Sequence, residues 1–304
     1  MEKKNKIKLK NFISTNLFVY SFLLIPLLNL AVFYFYVNIN SFFMSFRAPE
    51  GIADPFYYYE MMFKRFTDPN FYLAEAFVNT LRFFCLSTFI LLPLGFIFAF
   101  FLFKKIRGYK FFRIMLFFPG LISSTIFVSL FKQIVGSNGI LFSLISAITK
   151  KDIHIDLIGN PDYAIWTILG YCFWTGFGGN FLLAEGAMAR IPDDVLEYAK
   201  LDGVSPIREF VSIIIPMIFP TVSTLLVMSF VSIFGASGPI LLFFQNSRQG
   251  IYTIDYLIYD LTAGSQSGSS GLAAAIGLFF TAIEIPIVFL VGYITKKIDR
   301  GVQY

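Results

Sequence analysis

Apolar residues run through this chain in long, nearly unbroken blocks rather than as the one-sided stripe of a half-buried helix. Six blocks, about 17–37, 79–103, 112–134, 163–185, 209–236 and 271–295, approach or exceed the roughly 20 residues that a helix needs to cross about 30 Å of hydrocarbon. Between the fourth and fifth lies a stretch of different character, 186–208. There Asp193, Asp194, Glu197, Lys200 and Asp202 crowd around Val195, Ala199 and Leu201. That mixture predicts a short helix, too short to cross a bilayer and too polar to hide in one. Gly203 suits the left-handed residue that ends it. Ser205-Pro206 reads as the N-cap and first position of the next helix.

The predicted fold class is an all-α polytopic membrane protein, residues 1–304 forming a single transmembrane domain without an internal repeat. Pro216 and Pro220 predict a kink in the fifth span. The segment 38–78 carries Tyr57, Tyr58, Tyr59, Phe63 and Phe66, read as an interfacial helix with its rings at headgroup level or as a docking surface. Ile251, Ile254, Leu257, Ile258 and Leu261 predict an amphipathic external helix, and Gly264 to Gly271 a flexible hinge into the last span.

Composition agrees with this pattern. The chain is 57% hydrophobic and 19% aromatic, with 14% charged residues, against about a quarter charged in soluble domains. The formal charge of +5 does not point to nucleic acid, because the basic residues gather at the ends of apolar runs. Segments 1–16, 104–111, 186–208 and 296–304 hold fifteen Lys and Arg residues; the longer segments 38–78, 135–162 and 237–270 hold six. The positive-inside rule then places both termini, and the helix of 186–208, in the cytoplasm. The first span lacks a small-residue cleavage site and is read as uncleaved. Cys85 and Cys172 fall in apolar segments and are read as small buried hydrophobes.

Catalytic chemistry is not in view. The chain has no Gly-x-x-x-x-Gly-Lys-Ser/Thr loop to cradle ATP and no Gly-x-Ser-x-Gly elbow. Its one histidine, His154, stands in an external loop beside Asp152 and Asp156, read as solvated rather than metal-binding. No cofactor is expected on this chain, and if transport runs on ATP the ATPase is another polypeptide. Inside the membrane, Tyr171, Trp174 and Asn180 combine ring faces with an amide, a chemistry that grips sugars. Glu284 sits mid-way along the last span, where a carboxyl costs a few kcal/mol and faces protein or water. Ser232 is a weaker member of the set. Each is read either as lining a pathway or as packing.

Glu197-x-Ala199-x-x-x-Gly203, followed by Ile213-x-Ile215-Pro216, resembles the cytoplasmic EAA loop of ATP-binding-cassette importer permeases, most of all the branch for sugars and glycerol phosphates. Asn79-Thr80-Leu81, Phe112-Arg113 with Phe117-Phe118-Pro119, Trp174-Thr175 and Gly271-x-Ala273-Ala274-Ala275 are similar to that family at matching places. The resemblance implies a cytoplasmic coupling helix between spans four and five, with Asp193, Glu197, Ala199, Asp202 and Gly203 at the ATPase contact. It implies as partners a second permease, two ATPase subunits carrying ATP and Mg, and an extracellular solute-binding protein, assembled in a bacterial plasma membrane. The solute expected is an oligosaccharide or related polyol. The rival reading is a secondary transporter or channel working without ATP.

Overall fold

The computed structural model describes residues 19–49, 54–66, 68, 71–137, 139–150, 155–244, 250–263 and 269–300. His154 with Asp152, most of the 264–271 stretch and the basic N-terminal residues lie outside them. Every regular element among the described residues is helical. The apolar blocks become helices, but three of the six are interrupted.

The first helix, α1 (Val19–Phe46), is 28 residues long and overruns the predicted end of its block. Its only buried residue is Ser45, which accepts a hydrogen bond from the Tyr59 hydroxyl at 3.1 Å. Its first part, residues 19–36, presents apolar side chains outward all round, the surface expected of a helix facing lipid, while Val37–Phe46 lies along the last helix. Next, α2 (Tyr57–Phe66) does not simply float at headgroup level: Met62 is buried, and Phe63 meets Phe279 edge-on at 5.4 Å. The long α3 (Leu73–Phe103) begins six residues before the predicted 79 and contains a π-helical segment, Leu86–Leu91. On it Cys85 is exposed, contrary to the sequence reading.

The third block divides into α4 (Tyr109–Leu121) and α5 (Ser124–Val135). Pro119 weakens the end of α4, and Ile122 is extended. The short α6 (Ile140–Thr149) follows after Gly136 and Gly139, both extended. The fourth block divides into α7 (Pro161–Thr175), capped by Asn160, and α8 (Asn180–Met188), with Gly176, Gly178 and Gly179 between. After α9 (Asp193–Leu201) comes the fifth block, α10 (Pro206–Met217) and α11 (Phe219–Val231). These two meet at Ile218 with a 77° bend between Pro216 and Pro220, so the expected kink is present and sharp. A single turn, α12 (Ile240–Phe243), and α13 (Ile254–Thr262) precede the last helix, α14 (Ser270–Arg300). Ile254, Leu257 and Leu261 are buried along α13, as their spacing predicted.

Among the described residues, four stretches are long and apolar enough to cross a membrane: α1, α3, Ser124–Thr149 and Ser270–Asp299. The third of these is α5 and α6 taken together across the glycine turn; counting the bent α10–α11 pair makes five. Two apolar clusters organise the bundle. One gathers Phe83 and Phe84 of α3 with residues such as Ile168, Phe243, Leu257 and Phe280. The other gathers Leu92, Phe96 and Phe100 of α3 with Phe181, Met188, Leu196 and Ile214. The π-helical segment is where α3 passes from the first cluster to the second. Ion pairs tie α4 to α8 through Arg113 and Glu185, and the end of α3 to α10 through Lys104 and Glu209.

Candidate functional site: a cavity among broken helix ends, and the helix Asp193–Leu201

A cavity of about 690 Å³ opens where the interrupted helices meet. Its wall is made of chain breaks. Ser87 and Leu91 come from the π-helical part of α3, Pro119 and Ile122 from the end of α4, and Ser124 from the start of α5. Tyr171, Cys172 and Thr175 come from the last turn of α7, Gly176 from the gap, Asn180 from the head of α8, and Gly238, Pro239 and Leu242 from the approach to α12 and its turn. None of the described residues lining it is charged. Hydroxyls, an amide and a phenol are set among apolar walls. The Thr175 hydroxyl donates to the Tyr171 carbonyl at 2.9 Å, and the Ser87 hydroxyl to the Phe84 carbonyl at 3.0 Å. Gly176 is small by need: a Cβ there would lie 2.5 Å from a Leu91 methyl.

Of the predicted pathway residues, Tyr171 and Asn180 meet at this cavity. Trp174 does not border it; 47% exposed, it packs its ring 5.0 Å from Phe127 and 6.2 Å from Phe131. Ser232 is exposed elsewhere, its hydroxyl donating to the Met228 carbonyl at 3.4 Å. Glu284 lies on α14, within electrostatic reach of Asp255 on α13.

Beside the cavity, the stretches 240–244 and 250–254 are held by polar anchors. Lys132 donates to the carbonyls of Leu242 and Phe243 at 3.1 and 2.6 Å, satisfying groups that the end of α12 leaves open. Glu75 accepts from the Tyr252 amide at 3.0 Å, Asn79 donates to the Tyr252 carbonyl at 2.9 Å, and Thr80 accepts from the Ile254 amide at 2.9 Å.

At the other end of the molecule α9 is a rigid knob. Gly203 has φ +67°, and the helix closes with the Gly203 amide on the Lys200 carbonyl and the Val204 amide on the Ala199 carbonyl, both at 3.1 Å. This is a Schellman ending. Ser205 Oγ then accepts from the Arg208 amide at 3.5 Å, opening α10. Asp193 and Asp194 occupy the first turn, where the helix dipole favours negative charge. Leu196 and Ala199 face inward, while Glu197 and Asp202 are exposed.

The description "binding-protein-dependent transport system inner membrane component" belongs to a family that matches residues 91–302. The chain belongs to this family. It is therefore a multi-pass membrane permease subunit, and the ATPase that drives such a system is a separate chain. This sets aside the reading without ATP. The permease is 26% identical, over 92% of its length and 96% of the relative's, to the multiple sugar-binding transport system permease protein MsmF of Streptococcus mutans. It is 24% identical to the arabinooligosaccharides transport system permease protein AraP of Bacillus subtilis, over 90% of its length and 85% of the relative's. Among solved structures, a bacterial ABC transporter importing the acidic polysaccharide alginate has the same fold, with a TM-score of 0.81 and 21% identity over 95% of this chain and 99% of that one.

Sequence reasoning missed several of the permease's cavity residues, namely Ser87, Ser124, Cys172, Thr175 and Gly176. Small residues in apolar runs look like packing until the breaks that expose them are known; the glycines at 176–179 were the available signal. It also missed the apolar tip beside α9, where Tyr198, Leu201 and Ile207 are 69%, 82% and 79% exposed.

Proposed function

We propose that this permease crosses a bacterial plasma membrane six times, as α1, α3, α4–α5, α7–α8, α10–α11 and α14, with both termini cytoplasmic and residues 1–304 acting as one domain. Its solute is an oligosaccharide or related polyol, passing through the cavity that Tyr171 and Asn180 border. The observation that carries this reading is the wall chemistry: hydroxyls, an amide and aromatic surface without a charged side chain, in a volume suited to a small solute. Such a wall grips a neutral polyhydroxyl compound by hydrogen bonds and ring contact. The printed names of the relatives, for multiple sugars and arabinooligosaccharides, support the same class.

The cytoplasmic helix α9 acts as the coupling helix. Asp193, Glu197, Ala199, Asp202 and Gly203 shape it, and the exposed Tyr198, Leu201 and Ile207 supply an apolar knob for a cleft on an ATPase subunit that holds ATP and Mg. A second permease completes the pathway, two ATPase subunits sit below, and an extracellular solute-binding protein delivers the solute. Exposed α1 lies against lipid.

The test is reconstitution of the full complex in liposomes, with ATP inside and binding protein outside, offered a panel of neutral oligosaccharides and glycerol phosphate. Uptake of an oligosaccharide that requires both ATP and the binding protein is expected. Uptake that persists without either component would overturn the proposal.

A further inference from the structure

Resting on that reading of α9 and the cavity, we propose that Lys104 and Glu209 are positioning residues that carry the movement of α9 to the cavity through α3. Glu209 is the fourth residue of α10, directly after the turn that closes α9, and it is 5% exposed. Its carboxylate is paired with the ammonium of Lys104, the residue that ends α3. Beside the pair the rings of Phe100 and Phe210 lie 5.0 Å apart, and Lys104 also sits 5.9 Å above the Phe100 ring. The start of α10 is thus fastened to the cytoplasmic end of α3 by charge and by ring packing together.

From that fastening α3 runs as regular helix through Phe96 and Gly95. A Cβ on Gly95 would lie 3.6 Å from Asn180 Cβ, so α3 and the head of α8 are in close apposition. Above Leu92 the helix turns π-helical, and there it presents Ser87 and Leu91 to the cavity. A π segment holds one residue more than an α-helix of the same span and is a place where register can change.

Thr88 marks this segment as incompletely satisfied. It is buried, and its hydroxyl is without a hydrogen-bond partner. Thr80, Thr175, Thr224 and Thr281 each donate to the carbonyl four residues back. For Thr88 that carbonyl belongs to Phe84 and is occupied by the Ser87 hydroxyl. Regularising the segment would let Thr88 take the carbonyl, release Ser87 and re-aim Ser87 and Leu91 at the cavity. A pull on Lys104 through Glu209 is delivered to the end of the helix that contains this segment.

The experiment uses the complete complex with ATP and orthovanadate as the trapping probe, in a permease with Cys85→Ala and Cys172→Ser. One reporter is Leu91→Cys, which leaves the Ser87 hydroxyl in place and is read as its rate of maleimide labelling; the other is Tyr198→Cys, read as protection by bound ATPase. Trapping should change labelling at position 91 about fivefold or more, within the usual range of coupling between sites. Glu209→Gln and Lys104→Met should each reduce that response below about twofold while protection at position 198 persists. The exchanged pair, Lys104→Glu with Glu209→Lys, should restore it. A normal response at position 91 in the near-isosteric Glu209→Gln variant overturns the link, as does a complex with the native Lys104–Glu209 pair that protects position 198 but shows no response at 91. If position 198 is not protected even in the wild type, the docking role of α9 fails as well.

Discussion

The side-chain amide of Asn79 donates to the carbonyl of Tyr252 at 2.9 Å, joining the first turns of α3 to the approach to α13 across 173 residues of chain. Both residues are buried, and Arg82 holds the other end of the Asn79 amide by donating to its oxygen at 2.8 Å. Asn79→Ala removes the donor to the buried Tyr252 carbonyl and the acceptor for Arg82, at a cost of about 1–3 kcal/mol. Thermal unfolding of the detergent-solubilised complex should fall by several degrees. An unchanged midpoint would mean that water reaches the carbonyl.

Gly203 provides a second test. At φ +67° a side chain costs about 1–2 kcal/mol, and nothing within 4 Å of a Cβ there would clash, so the penalty is one of backbone conformation alone. Gly203→Val should deform the end of α9 and weaken stimulation of the ATPase by loaded binding protein. Gly203→Asn, which tolerates the left-handed region, should retain most of it. Equal loss in both variants would point to the surface rather than the backbone.

The cavity separates residues that looked alike in sequence. Asn180 borders it and Trp174 does not. Asn180→Leu removes hydrogen-bonding capacity from the wall at similar volume and should lower solute uptake by about tenfold, the equivalent of one charge-free hydrogen bond. Trp174→Ala should act mainly on stability through its contacts with Phe127 and Phe131. Measured uptake and thermal stability for the two variants should therefore fall in opposite orders; the same order in both assays would sink the assignment.

Gly176 sets the spacing between α3 and the end of α7. With a Leu91 methyl 2.5 Å and the Cys172 carbonyl 2.6 Å from where a Cβ would stand, Gly176→Ala must push one of them away. Overpacking of this kind costs about 1–3 kcal/mol. Lower stability is expected, with partial rescue by Leu91→Ala, and an absence of rescue would locate the strain at the carbonyl.

Much of this architecture was legible from residue order. Long apolar runs found the helices, because a single segment satisfies its own backbone in hydrocarbon only as a helix. The α9 turn was legible too, since Gly203 and Ser205-Pro206 are chosen for backbone geometry rather than packing. The interruptions were harder. Pro119 and the glycines at 176–179 permit a break without requiring one, and nothing in Leu86–Leu91 announces a π segment, whose extra residue is decided by neighbours. The cavity follows from those breaks, so Tyr171 and Asn180 were recognisable by their chemistry but Ser87 and Thr175 were not. The apolar tip at α9 was not legible either: Tyr198, Leu201 and Ile207 face outward, and apolar residues in so short a stretch do not announce which of them the fold leaves uncovered.

A wall assembled from helix ends also changes which genetic experiments are informative. Three glycines, Gly120, Gly176 and Gly238, line the cavity, and a glycine meets a passing solute with main-chain atoms alone. Those groups survive every side-chain replacement. A conventional alanine scan of this permease will then understate the extent of the contact surface, and its silent positions will include residues that touch the solute through the main chain. Backbone-directed changes, such as proline or ester substitution at the breaks, are the ones that reach them.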